Sequence, residues 1–91
     1  MNICMHLIIT GRVQGVCFRI MTKKEAEKCK ISGWVKNRID GTVETVLEGK
    51  KKQVELMVKW CKNGPQGAKV IKVDENMKEF TGEFNGFKII Y

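Results

Sequence analysis

The chain has 91 residues, enough for one hydrophobic core and not for two. Hydrophobic residues make up 43% of it and charged residues 30%, the balance of a folded soluble globule, and no apolar run approaches the roughly 20 residues that a bilayer span needs. A formal net charge of +7 favours anionic partners, whether phosphorylated metabolites, nucleic acid or a membrane surface, without choosing among them.

In chain order, Ile3, Met5, Leu7 and Ile9 alternate with the mixed set Cys4, His6, Ile8 and Thr10. That period of two predicts a strand over 3–9 with one face on the core. No basic stretch and small-residue cleavage pattern marks this region as a leader, so a cytoplasmic protein is expected. Next come Gly11-Arg12-Val13-Gln14-Gly15-Val16-Cys17-Phe18-Arg19. The lysine- and glutamate-rich residues 21–30 then predict a helix, with Thr22, Ala26 and Cys29 as a narrow stripe at helical spacing. At a strand-to-helix turn, glycines and little acidic charge leave backbone N–H groups free to converge on an anion. Arg19 adds a planar guanidinium, which grips phosphate or carboxylate through two hydrogen bonds. The nine residues therefore read as an oxyanion site.

Residues 33–39 and 42–48 alternate and are rich in β-branched side chains, with Asp40-Gly41 between them, a strong hairpin signal. Val54, Met57, Val58 and Cys61 stand at i, i+3, i+4 and i+7 and predict a second helix, which stops at Asn63-Gly64-Pro65. Lys50-Lys51-Lys52 opens that helix where acidic residues would suit its N-terminus better. Val70 to Val73 predicts a short fourth strand, and Phe87, Ile89 and Tyr91 alternate in a fifth. Two helices cannot cover both faces of five strands. The expected architecture is α+β: a ferredoxin-like two-layer sandwich, β-α-β-β-α-β plus a C-terminal strand, one domain over 1–91. Both helices lie on one face of a mostly antiparallel sheet. The pattern does not give the strand order.

Cys4, Cys17, Cys29 and Cys61 include no C-x-x-C, and the chain has one histidine, which leaves no Cys/His zinc set. A reducing compartment keeps all four thiols free. His6 reads as structural or exposed, Cys17 as a small loop filler without a histidine beside it, and Phe18, Trp34 and Trp60 as packing aromatics.

GRVQGVCFR at 11–19, GWVKN at 33–37, NGPQGAKV at 63–70 and the closing Gly82-Glu83-Phe84-Asn85-Gly86-Phe87 closely resemble the acylphosphatase family, from about Met5 to Tyr91. The resemblance implies a small monomeric enzyme that hydrolyses acyl phosphates, the mixed anhydrides of carboxylic acids and phosphate. Carried over by position, Arg19 takes the family's phosphate-binding role and Asn37 its water-positioning role. The backbone N–H groups of Gln14, Gly15, Val16, Cys17 and Phe18 would hold the phosphoryl oxygens, or inorganic phosphate and other anions. A carboxylate leaving group needs no general acid, so positioning and charge stabilisation suffice without metal or cofactor. The alternative is a basic ferredoxin-like nucleic-acid-binding module without catalysis, with Trp34 stacking a base. Against it, no segment carries the paired sheet aromatics of an RNA-recognition motif. Gly64-Pro65-Gln66-Gly67 also lies between a helix and a strand, not between two helices.

Overall fold

Alternation at the start of the chain decides which side of the sheet is inside. The computed structural model describes residues 1–91. On strand β1 (Asn2–Arg12), Leu7 and Ile9 are fully buried and Ile3 and Met5 nearly so. A second long strand, Val43–Lys50, pairs antiparallel with β1 and sets Leu47 opposite Met5, Thr45 opposite Leu7 and Val43 opposite Ile9. These positions, apolar except for Thr45, form one continuous buried face, as the pleat requires.

In chain order the elements are β1, α1 (Phe18–Lys28), β2 (Ser32–Asn37), β3 (Val43–Lys50), α2 (Lys51–Asn63), β4 (Lys69–Lys78) and β5 (Phe87–Ile90). The strands lie in the order β4-β1-β3-β2-β5. Every pairing is antiparallel except that of β5 with β2. With both helices packed on this mixed sheet, the fold is the expected ferredoxin-like α+β arrangement. No helix is long and apolar enough to cross a membrane.

Helix α2 buries Val54, Met57, Val58 and Cys61, the stripe expected from spacing. Burial also pushes the Cys61 thiol up to about 12. The lysine-rich start of α2 has no side-chain cap, and the Lys51 N–H instead donates to the Met1 carbonyl at 3.0 Å. Helix α1 differs from expectation at both ends. It starts at Phe18 and stops at Lys28, and its buried stripe is Phe18, Thr22 and Ala26. Thr22 is satisfied inside the core by donating its hydroxyl to the Phe18 carbonyl at 2.7 Å, the usual local bond of a helical threonine.

Strand β4 runs well past the expected four residues because β1 templates it, from Arg12 opposite Lys69 to Cys4 opposite Lys78. It is an edge strand, so its outer half faces water and needs no apolar alternation. The β2–β3 hairpin is wider than a two-residue turn. Arg38 N–H donates to the Thr42 carbonyl at 2.9 Å, and Asp40 Oδ1 accepts from the Thr42 N–H and hydroxyl at 3.0 and 2.6 Å. The Asp40 side chain thus builds its own turn in place of the tighter one. Gly33 of β2 faces the β3 backbone at Val46. With φ at +140°, a Cβ there would stand 1.9 Å from the Val46 carbonyl oxygen, so only glycine fits.

The sheet face away from the helices is polar but not open throughout. Lys36 Nζ lies 5.5 Å from the centre of the Trp34 ring, and His6 Nε2 meets Glu44 Oε2 at 2.6 Å. Burial raises the Glu44 carboxyl, but the hydrogen bond and charge of His6, helped by Lys36 and Arg38, hold it below its ordinary value. Glu48 is 1% exposed. It accepts from the Thr81 N–H at 2.8 Å, the Thr81 hydroxyl at 2.9 Å and the Gly82 N–H at 3.1 Å. One carboxylate thereby fastens the β4–β5 connection across the sheet.

Burial pushes the Glu48 carboxyl up, yet the bonds from Thr81 and Gly82 prevail and leave it below its ordinary value. A folded-state pKa below the unfolded one gives stability that is complete above the ordinary carboxylate range and lost as pH falls through the folded value. Glu48→Gln is expected to cost about 2 kcal/mol at neutral pH, the scale of hydrogen bonds to a charged group. It should also flatten the acid limb of stability. Urea unfolding at pH 7 and at progressively lower pH checks both, and equal stability of parent and variant at pH 7 would remove Glu48 as the clamp.

Candidate active site

The segment between β1 and α1 is shaped by what it must bury. Val13 is 1% exposed and Phe18 2%, so the chain is pinned at both ends and the residues between them arch outward. Gly15 and Cys17 take left-handed conformations, with φ of +73° and +61°. The first is free of penalty for glycine and the second costs strain for cysteine. Cys17 is also the residue before the first helical turn, and its carbonyl accepts from the Met21 N–H at 3.1 Å. The N–H groups of Gly15, Val16 and Cys17 donate to no acceptor within the protein. Free donors from consecutive residues, set at a helix N-terminus with no acidic residue in its first turn, form an anion-binding concavity.

Because α1 begins at Phe18, Arg19 lies in the first turn beside this arch and not upstream of the helix. Its guanidinium pairs with no carboxylate and stands 5.0 Å from the centre of the Tyr91 ring. Asn37 comes from the last position of β2. Its Oδ1 is the one buried side-chain polar atom without a hydrogen-bond partner. The fold brings Arg19 and Asn37 to one cleft of about 300 Å³, with Gly15, Cys17 and Phe18 of the expected loop also in its lining.

Two expected loop residues depart from that lining. Val16 turns its side chain onto the core. Gln14 sends its amide to the hairpin, where Nε2 donates to the Arg38 carbonyl at 2.8 Å and the Thr42 carbonyl at 2.9 Å. Gly11 lies outside the arch altogether, within β1.

Sequence reasoning missed the far wall of the cleft. Ile20, Ile89 and Tyr91, with Val13, complete the lining, and Ile20 is 50% exposed. One signal was available: Ile20 is a large apolar residue off the stripe of a helix whose buried positions are Phe18, Thr22 and Ala26. No three His, Cys, Asp or Glu side chains are grouped so as to hold a metal ion.

A lining of backbone donors, an arginine and a neutral amide, with no carboxylate side chain in it, suits an oxyanion held on a ferredoxin-like scaffold. Comparison with known proteins narrows that class. The profile of the acylphosphatase family matches residues 5–89, and the chain belongs to this family. It is 46% identical over 86 residues to the acylphosphatase of Pelotomaculum thermopropionicum, covering 94% of each chain. Identity to the acylphosphatase of Pyrobaculum islandicum is 47% over 90 residues, covering 98% of this chain and 95% of the other. The crystal structure of the acylphosphatase from Bacillus subtilis superposes with a TM-score of 0.94 at 38% identity, over 100% of both chains.

Phe18 supports the arch from below, its ring 5.9 Å from that of Trp60 at a tilted 60°. Phe18→Ala is expected to cost about 3–5 kcal/mol, the transfer and cavity penalty of a buried phenylalanine. Chemical denaturation reads this directly. A loss under about 1 kcal/mol would mean that the arch does not depend on that ring.

Proposed function

We propose that the cleft binds the phosphoryl group of an acyl phosphate and aims one water molecule at its phosphorus. Membership of the acylphosphatase family supplies the reaction: an acyl phosphate and water give a carboxylate and inorganic phosphate. The water oxygen forms a bond to phosphorus while the bond from phosphorus to the acyl oxygen breaks in line. The electron pair leaves with the carboxylate, a weak base that needs no general acid.

The free N–H groups of the 14–18 loop and the N-terminus of α1 take the non-bridging oxygens. Arg19 adds a forked, charged pair of donors to the same oxygens, where negative charge is spread in the transition state. Asn37 accepts a hydrogen bond from the attacking water through Oδ1 and donates to the phosphoryl group through Nδ2. The proton lost by the water passes to a phosphate oxygen, which explains how a lining without His, Asp or Glu is sufficient.

The observation that carries this reading is the orphan Oδ1 of Asn37 in the cleft that holds Arg19. A buried acceptor without a partner costs about 1–3 kcal/mol. Bound water in the reacting complex meets that deficit. We read the protein as a cytoplasmic monomer, and its four free thiols fit a reducing compartment. Inorganic phosphate, the product, occupies the same donors.

Hydrolysis of benzoyl phosphate in the presence of a chelator tests the assignment. Asn37→Ala is expected to lower kcat by ~10²–10³, the scale for one positioned hydrogen-bonding group, with KM near the parental value. A near-parental kcat in that variant would end the water-positioning role. Arg19→Ala is expected to damage both KM and kcat, and Arg19→Lys to stay within about threefold of it, since a point charge cannot reproduce the fork. Substantial recovery in Arg19→Lys would show that charge alone is what the phosphoryl group needs there.

A further inference from the structure

Gln14 lies within the anion-binding arch, yet its side chain faces a different part of the molecule. Its Nε2 donates to two carbonyls at once, that of Arg38 at 2.8 Å and that of Thr42 at 2.9 Å. Both acceptors are already engaged within the hairpin: Thr42 accepts from the Arg38 N–H at 2.9 Å and Arg38 from the Gly41 N–H at 3.2 Å. With carbonyl oxygens on both sides, only the NH₂ end of the amide fits.

The placement of these acceptors matters more than their number. Arg38 directly follows Asn37. Thr42 directly precedes Val43, the residue paired with Asn37 across the β2–β3 ladder. The amide therefore grips the hairpin one residue beyond Asn37 on each strand. At its other end Gln14 is joined to Gly15, where the left-handed arch begins. The two halves of the site come from segments far apart in sequence, and this side chain is the hydrogen-bonded link that joins the arch directly to the hairpin mouth.

We infer that Gln14 is a positioning residue, which locks the arch to the hairpin and so fixes where Asn37 stands relative to the phosphoryl group. The inference rests on the water-positioning role of Asn37 given above. In-line attack demands this kind of fixing. Reacting atoms must meet at about 3–3.5 Å in alignment, and a displacement near 1 Å costs on the order of 10²-fold in rate. The arch and Arg19 supply most of the donors to phosphate, and the hairpin side adds only the Asn37 amide. Release of the lock therefore affects the water's aim far more than phosphate binding.

The test is a double-mutant cycle on the full chain. Gln14→Met keeps the length of the side chain and removes both donors without adding charge. It is expected to lower kcat for benzoyl phosphate by ~10-fold or more, part of the cost of a misplaced reacting group. The inhibition constant of inorganic phosphate should remain within about threefold of the parent. In the Asn37→Ala background the same substitution should change kcat by less than about twofold, because residues that act as a unit are not additive.

A parental kcat in Gln14→Met overturns the inference. So does an equal fold-loss in both backgrounds, which is what a merely structural hairpin brace would give. If Gln14→Met does not fold, Gln14→Asn carries the cycle, since its amide is retracted by one methylene and is expected to show the same coupling. The two readings fail differently. A near-parental kcat in Asn37→Ala alone removes the water-positioning role, whereas a large Asn37→Ala loss with additive Gln14 loss removes only the lock.

Discussion

The burial of Phe18 is the contact on which the cleft depends. Its ring packs beside Trp60 in the core, 2% exposed, while Cys17 before it is exposed and Arg19 after it only half-buried. That contrast fixes where α1 begins. With the helix started at Phe18, the turn before it must use left-handed backbone at Gly15 and Cys17, and its N–H groups are left without internal partners. Arg19, one residue on, is carried to the mouth of the same arch. A helix beginning three residues later would take Arg19 out of the first turn, where the helix dipole and the free N–H groups act together.

The second half of the site is held by a different kind of constraint, the register of the central strands. Val43 pairs with both Ile9 and Asn37, so β3 transmits the position of β1 to the end of β2. A slip of one residue would turn Asn37 to the opposite face of the sheet. The apolar face built by Leu7, Ile9, Val35, Val43 and Leu47, all fully buried, makes such a slip prohibitive. Core packing thus places the amide to within a side chain's reach, and the hydrogen bonds at the hairpin mouth refine it.

Much of this was legible in the sequence. Period-two alternation located β1, β2 and β3, helical spacing gave the buried side of α2, and the strand-to-helix motif pointed to Arg19. Asn37 was another matter, because an asparagine beside a turn is ordinary chemistry and only likeness to a family singled it out. Other features are set by tertiary contacts that no local pattern reports. The polar half of β4 becomes a strand because β1 offers it a ladder. The left-handed Cys17 begins α1 early because Phe18 has a cavity to fill. Glu48 resembles any strand glutamate until Thr81 and Gly82, more than thirty positions later, converge on it. The side chain of Gln14 was hidden for the same reason: its acceptors are backbone carbonyls, which carry no residue-type signal.

The cleft divides its labour unevenly between the interior and the surface. Arg19, Asn37 and the arch are anchored to the core through Phe18, Val13 and the central strands. The apolar wall comes instead from Ile20, half exposed on α1, and from the edge of the sheet at Ile89 and Tyr91. Substitution at exposed positions such as Ile20 and Tyr91 disturbs little packing, so it is cheap in stability. The polar lining and the apolar rim are thereby free to change separately during evolution. A lineage can vary this apolar rim at little cost to the fold, while the polar lining tied to the core passes unchanged from one descendant to the next.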